Sequence, residues 1–402
     1  MKRPLQGFRV LDLTNVLAGP FCCHQLCHLG AEVIKVEVPG SGDLARQLGG
    51  DPDLNRRHMG VSFLAQNAGK KSITLNLKAE RGRSLLRELV RTADVLVENF
   101  RPGVMQRLGV GYERLSADNP RLVYCAISGF GQDGPLRQLP AYDQIIQGMA
   151  GVMSITGEPA TGPYRVGYPI ADTIGGITAA FAIASALAAR ARNPDAPGCF
   201  IDVAMLEAVI ATMGWVVSNW LISGTEPVPL GNENFTASPS GTFRTAEGLL
   251  NIAANKQEQF EAVCRVLGRE DLAADARFAE RQARLVNRAE LKHLLEQSLA
   301  EDSAARWAER LNAAGVPAGP VMTVPEILDH PQVKERGMIA CFENAPGVGE
   351  DIRVVRTGIK IDAEAPGVDA PPPLLGEHTE EILASLGLAA EEIEQLRRDG
   401  VV

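Results

Sequence analysis

Asp172 stands where a carboxylate could act as a nucleophile. It lies in Gly167-Tyr-Pro-Ile-Ala-Asp-Thr-Ile-Gly-Gly176, where an extended segment runs into a Gly- and Ala-rich helix predicted over residues 174–192. An Asp just before a helix ordinarily caps it, its oxygen accepting from the free N–H groups of the first turn, and that is the bland expectation here. Two details compete with it. Gly175 and Gly176 remove side-chain bulk beside the helix start, so a ligand could approach the backbone, and the positive end of the helix favours negative charge. The same features suit a carboxylate nucleophile with backbone N–H groups near Gly175 stabilising an oxyanion. Tyr142-Asp143, at the start of another predicted helix, offers a second acid for the same pocket, against the simpler reading of a first-turn acid on the helix dipole.

Other constellations are weaker. Cys22-Cys23-His24-Gln25-Leu26-Cys27-His28 carries zinc-type ligands, but no distant Cys/His group completes a four-ligand set, so a packed helix with buried thiols and no metal is expected. Glu37 ends a strand about where a ribose-binding acid would sit in a dinucleotide fold. The phosphate loop that should accompany it reads Asn15-Val-Leu-Ala-Gly-Pro20, which lacks the required glycines. Gly40-Ser-Gly-Asp43 reads as a flexible turn that could line a ligand groove. No nucleophile elbow or P-loop occurs, and Ser, Cys and His form no triad pattern.

The elements that must position these residues alternate. Residues 8–14, 31–38, 72–77, 94–97 and 122–128 read as strands, with helices at 19–30 and 80–92, so the first part is an α/β fold built on a parallel sheet. Helices follow at 142–153 and 174–192, then a strand at 200–203. The apolar run 203–223 contains Glu207 and Asn219 and is expected to be one buried core helix rather than a membrane span. From about 225 to 325 the pattern becomes a short β portion at 241–254 followed by charged amphipathic helices, a smaller α+β domain. The tail ends in helices at 379–386 and 390–399.

The whole chain bounds the function. At 402 residues it can hold two or three domains, and a formal charge of -9 without basic runs argues against nucleic-acid binding. The start of the chain shows no apolar leader, and seven cysteines do not resemble a secreted disulfide framework, so a cytoplasmic protein with reduced thiols and no membrane partner is expected.

Longer motifs then add up. Pro4-Leu-Gln-Gly-Phe-Arg-Val-Leu-Asp-Leu-Thr14, Leu29-Gly-Ala-Glu-Val-Ile-Lys-Val-Glu37, Gly69-Lys-Lys-Ser-Ile-Thr-Leu-Asn-Leu-Lys78, Val97-Glu-Asn-Phe-Arg-Pro-Gly103, Ser128-Gly-Phe-Gly-Gln-Asp-Gly-Pro135 and Leu375-Gly-Glu-His-Thr379 make the chain resemble the class III CoA-transferases, a family that includes α-methylacyl-CoA racemases. The resemblance spans nearly the full length. It implies a homodimer of interlocked, ring-like subunits, with a Rossmann-like CoA-binding domain beginning in 1–205, a linker helix at 206–225, a small α+β domain at 226–325, and a return to the large domain over 326–402. It further implies no permanently bound cofactor, acyl-CoA and a carboxylic acid as substrates, and Asp172 as the nucleophile. Contacts to CoA carry over to Val16, Leu75, Lys78, Asn99, Phe100 and Arg107, with Arg101 and Arg137 as neighbours. Departures bear on the substrate: Leu17, Val38 and Asn232-Glu-Asn-Phe235 stand where some oxalate-active members have Gln, Arg and a glycine-rich loop. Racemases have a His-Asp pair where this chain has Tyr142-Asp143, so transfer of CoA is the preferred activity. A 2-methylacyl-CoA racemase and a non-catalytic acyl-CoA-binding protein are the alternatives.

Overall fold

Six strands form the central sheet: β1 (Arg9–Asp12), β2 (Glu32–Glu37), β3 (Lys71–Thr74), β4 (Val95–Glu98), β5 (Val123–Ser128) and β6 (Cys199–Ala204). The computed structural model describes residues 3–193 and 195–402. The strands lie in the order β3-β2-β1-β4-β5-β6 and every neighbouring pair is parallel; Leu11 of β1 stands opposite Ile34 on one side and Leu96 on the other. Parallel strands covered on both faces must be apolar almost throughout, and β4 and β5 are buried at every position. The order reverses between β1 and β4. That leaves a crevice beyond their carboxyl ends, the place where open α/β sheets bind ligands.

Leu85, Leu86 and Leu89 of the amphipathic helix Glu80–Val90 pack with Leu11, Ile34, Ile73 and Leu96 in one core. The C-terminal helices Thr379–Ser385 and Ala390–Arg398 add Ile382, Leu383, Ile393 and Leu396 to it. Chain ends nearly four hundred residues apart therefore share one hydrophobic interior.

The chain divides into two compact units, the first made of residues 1–152, 165–224 and 331–402 and the second of 153–164 and 225–330. The second holds the antiparallel strands β7 (Ser240–Arg244), β8 (Leu249–Ala253) and β9 (Ala318–Pro320). Phe243, Phe260, Phe278 and Trp307 form its core with leucines of the helices Arg288–Leu299 and Ala304–Ala313. Residues 153–164 join this unit although the sequence pattern breaks only near 225.

Two helix expectations need correction. The apolar run after β6 is not one buried helix: Met205–Thr212 and Trp215–Ser223 are bent by 79° about Gly214, which takes φ +47. The second piece has no buried residue. Its apolar composition is matched by exposure, with Trp215 at 76% and Ile222 at 85%. The helix expected from residue 174 begins a turn earlier, at Ile170, and runs to Arg192. It is long and apolar enough to cross a membrane by length and composition, yet it packs here on the helices Ala18–His28 and Met205–Thr212.

Candidate active site

The earlier helix start changes the role of Asp172. Pro169 is the N-cap residue and makes no side-chain cap, so Asp172 is the third residue inside the helix. Its carboxylate makes no hydrogen bond to any described residue. The capping expected of it is done by Asp143, which begins the helix Asp143–Met149 and accepts the Ala171 N–H on Oδ1 at 2.8 Å. The other oxygen of Asp143 accepts from Gln147 Nε2 at 2.7 Å, and Gln147 Oε1 accepts the Val166 N–H at 2.8 Å. Asp143 and Gln147 are both buried. A residue far off in sequence thus satisfies the helix end and leaves the Asp172 oxygens uncommitted.

Burial pushes the Asp172 carboxyl up, and the neighbouring Asp143 charge pushes the same way, to about 7. No cation offsets either effect. A carboxylate held this way is poorly solvated and unpaired, which makes it a better nucleophile than one locked in an ion pair.

Asp172 faces a cavity of about 220 Å³ at the crevice between β1 and β4. The turn after β1 (Asn15, Val16, Leu17, Ala18) and the turn after β4 (Asn99, Phe100, Arg101, Pro102) form two of its walls. Phe130, Leu139 and Met205 add apolar surface, while Arg137 and Tyr142 stand at exposed positions on it. The two turns are tied to each other: Asn99 Oδ1 accepts the Asn15 N–H at 2.8 Å and Asn99 Nδ2 donates to Asn15 O at 2.9 Å. Behind the second turn, Glu98 accepts the Phe100 N–H at 2.8 Å, and burial raises its carboxyl to about 7.

The structure brings together Val16, Asn99, Phe100, Arg101, Arg137, Tyr142 and Asp172 on this one cavity. It does not bring the others to it. Leu75 is buried in the core beside β3, and the exposed Lys78 and Arg107 are not among the residues that line the cavity. Asp143 lies behind the wall. Gly175 and Gly176 are buried for helix packing rather than for ligand approach: a Cβ on Gly175 would come within 2.8 Å of Met205 Cγ, and one on Gly176 within 2.5 Å of Ala18 O. Gly175 is also too deep in the helix to have a free N–H. In the first turn, Ile170 N bonds Tyr168 O, Ala171 N bonds Asp143, and Thr173 N bonds Pro169 O, so the open donor there is the N–H of Asp172.

Glu37 is no ribose ligand. It is buried and holds Arg46 through both oxygens, at 2.7 and 2.8 Å, while Ser72 donates to it at 2.7 Å. The turn at residues 40–43 is not a groove wall either: Gly40 and Gly42 take φ +76 and +65 and deliver Asp43 into the interior. Cys22, Cys23, Cys27, His24 and His28 are all buried, and among the described residues no group of three His, Cys, Asp or Glu could hold a metal ion. Asn232 and Asn234 lie on a separate cavity of about 560 Å³ within the second unit, where Glu233 pairs with Lys292.

Sequence and structure comparisons give the family. The model of CoA-transferase family III matches residues 5–379. The chain belongs to that family. An acetyl-CoA:oxalate CoA-transferase from Acetobacter aceti is 41% identical over 91% of this chain and 92% of its own length. A succinate–glutarate CoA-transferase from Agrobacterium fabrum is 38% identical over 96% of each chain. A CAIB/BAIF family protein from Brucella suis superposes with a TM-score of 0.83 at 38% identity, covering 96% of this chain and all of that one. The protein is therefore a family III CoA-transferase.

Proposed function

We propose that Asp172 carries CoA transfer from an acyl-CoA donor to a carboxylic acid by covalent catalysis, with succinyl-CoA as donor and a small dicarboxylate as acceptor. The observation that carries this is an unbonded, desolvated carboxylate facing the cavity at the sheet's switch point. Its oxygen attacks the thioester carbonyl; the C–S bond breaks, CoA leaves as thiolate, and acyl and aspartyl carbonyls share an anhydride oxygen. The thiolate then attacks the aspartyl carbonyl, releasing the first acid and leaving an aspartyl-CoA thioester. The acceptor carboxylate attacks that thioester, and the returning thiolate takes the acceptor's carbonyl, giving the new acyl-CoA and free Asp172. No net proton or hydrolytic water is consumed. The Asp172 N–H, at the positive end of its helix, is an open backbone donor for the oxyanions.

Arg101 and Arg137 supply the positive charge on the cavity for phosphate or a distal carboxylate, and Leu17, Phe130 and Met205 exclude water from the reacting thioester. Relatives named for oxalate and for succinate and glutarate support a dicarboxylate pair. The test is a panel of acids with succinyl-CoA and acetyl-CoA, read for new thioesters by mass spectrometry, with hydroxylamine or borohydride trapping of the Asp172 peptide. Absence of any modified peptide across the panel would sink the covalent mechanism. Racemisation needs a second acid–base group facing Asp172, and both oxygens of Asp143 are already engaged.

A second copy of the chain is proposed to cover the exposed apolar residues Trp215, Trp220, Leu221 and Ile222, together with Ile177 and Phe181 of the Asp172 helix. Light scattering that finds a monomer at micromolar concentration would remove this homodimer. Seven free thiols suit a reducing, cytoplasmic setting.

A further inference from the structure

Val16 is a β-branched residue held at φ +67, an unfavourable conformation that persists only where the surroundings impose it. The imposing groups are buried charges. Asp43 Oδ1 accepts the Val16 N–H at 2.9 Å and the Ala45 N–H at 2.8 Å. Lys35, in the middle of β2, donates to Thr14 O at 2.8 Å, two residues before Val16. Its Nζ also stands 2.9 Å from Asp43 Oδ2 in an ion pair. On the other side, Asp12 accepts the Thr14 N–H and hydroxyl and receives Lys70 Nζ at 2.8 Å; Lys70 in turn donates to Pro20 O at 3.0 Å. Asp12, Lys35, Asp43 and Lys70 are all buried.

Four buried charges are a poor device for stability alone, because removing them from water costs about what their pairing returns. Here they act on one target, the backbone of residues 14–20, of which Asn15, Val16, Leu17 and Ala18 form a wall of the cavity. We infer that Lys35 and Asp43 are positioning residues for acyl-CoA: they hold the strained Val16 turn in its binding shape before the ligand arrives. The inference rests on the proposed role of that turn in the acyl-CoA site. Preorganisation of this kind lowers the ordering cost of binding and leaves the chemistry at Asp172 untouched.

The test uses the full chain, with coenzyme A binding followed by calorimetry and turnover followed for acyl-CoA and acceptor separately. Asp43→Ala is expected to raise the CoA Kd and the acyl-CoA KM about tenfold, the loss of one charged hydrogen bond, while kcat and the acceptor KM stay within about threefold. Asp43→Asn keeps an oxygen for the Val16 N–H and loses only the charge, so it is expected to recover part of that loss. Wild-type CoA affinity in a folded Asp43→Ala protein overturns the proposal. Should that variant not fold, Asp43→Asn is read alone: weaker CoA binding supports the positioning role, and unchanged binding overturns it. Failure of the wild type to bind CoA would instead strike the functional reading itself.

Discussion

Desolvated carboxylates in the first unit behave in opposite ways. Asp12 and Glu37 are buried under the sheet end, where desolvation pushes both upward, but Lys35 and Lys70 beside Asp12, and Arg46 with Lys35 beside Glu37, pull both below the ordinary carboxylate range. Asp172 is desolvated too, yet its charged neighbour is Asp143, and it rises to about 7. Burial raises carboxylates in both regions; cations pull Asp12 and Glu37 back down, and Asp172, which has no cation beside it, stays raised. The scaffold carboxylates are fixed by several bonds each. Asp172 has none, and its freedom is provided by Asp143, which takes over the helix end.

The sharpest way to break this contrast is to neutralise one member of each group. Asp172→Asn is expected to lower turnover by more than about a thousandfold, since the nucleophile itself is gone, while leaving the thermal midpoint unchanged or higher. Asp12→Asn is expected to do the reverse in kind. It leaves Lys35 and Lys70 buried with too little counter-charge, costing about 3–5 kcal/mol in urea unfolding. If Asp172→Asn unfolds the protein, or Asp12→Asn is tolerated without loss, the division into reagent and scaffold is wrong.

A pH series sharpens it next. Attack needs the ionised carboxylate, so kcat/KM, which reports the free enzyme, is expected to fall as pH drops below about 7, reaching about a tenth of its plateau near pH 6. Stability runs the other way for this group. Its folded pKa is raised, so its contribution is full at a pH below the unfolded carboxyl value and is lost as pH rises through about 7. The stability gain of Asp172→Asn over wild type should therefore grow between pH 5 and 8. Asp12 and Glu37 are depressed, so their contribution is present above the unfolded value and is lost on acidification.

The scaffold was largely legible in the sequence because its signals are periodic. Apolar runs of strand length alternating with an amphipathic helix gave β1 to β5 to within a few residues at their ends. Lys35 inside such a run is itself a signal: a cation in a strand covered on both faces must find a carboxylate, although its partner Asp43 cannot be named without the turn at Gly40 and Gly42. The break at Gly214 was hidden by uniform apolar composition on both sides, and exposure of Trp215 and Ile222 follows no local rule. At the site, Pro169 was the available clue. Proline favours the first positions of a helix, which would have put Asp172 inside it rather than at its cap. The cap from Asp143 is set by tertiary packing and has no local signature.

Asp143→Asn is the finest probe of the comparison. The substitution removes the charge that, after burial, helps hold Asp172 up, so the midpoint of kcat/KM is expected to move to lower pH. The effect should be small, because burial rather than the Asp143 charge is the larger cause of the rise. Asn can still accept the Ala171 N–H, but only one of its two ends can accept, so the bond from Gln147 or that from Ala171 weakens. A merely structural Asp143 would show only that loss, as a lower thermal midpoint with an unmoved pH profile. A charge partner of Asp172 would move the profile as well. Gln147→Glu separates the two further: it places a second carboxylate against Asp143 without touching the cavity wall, and at high pH it is expected to loosen the Asp172 helix start and reduce turnover.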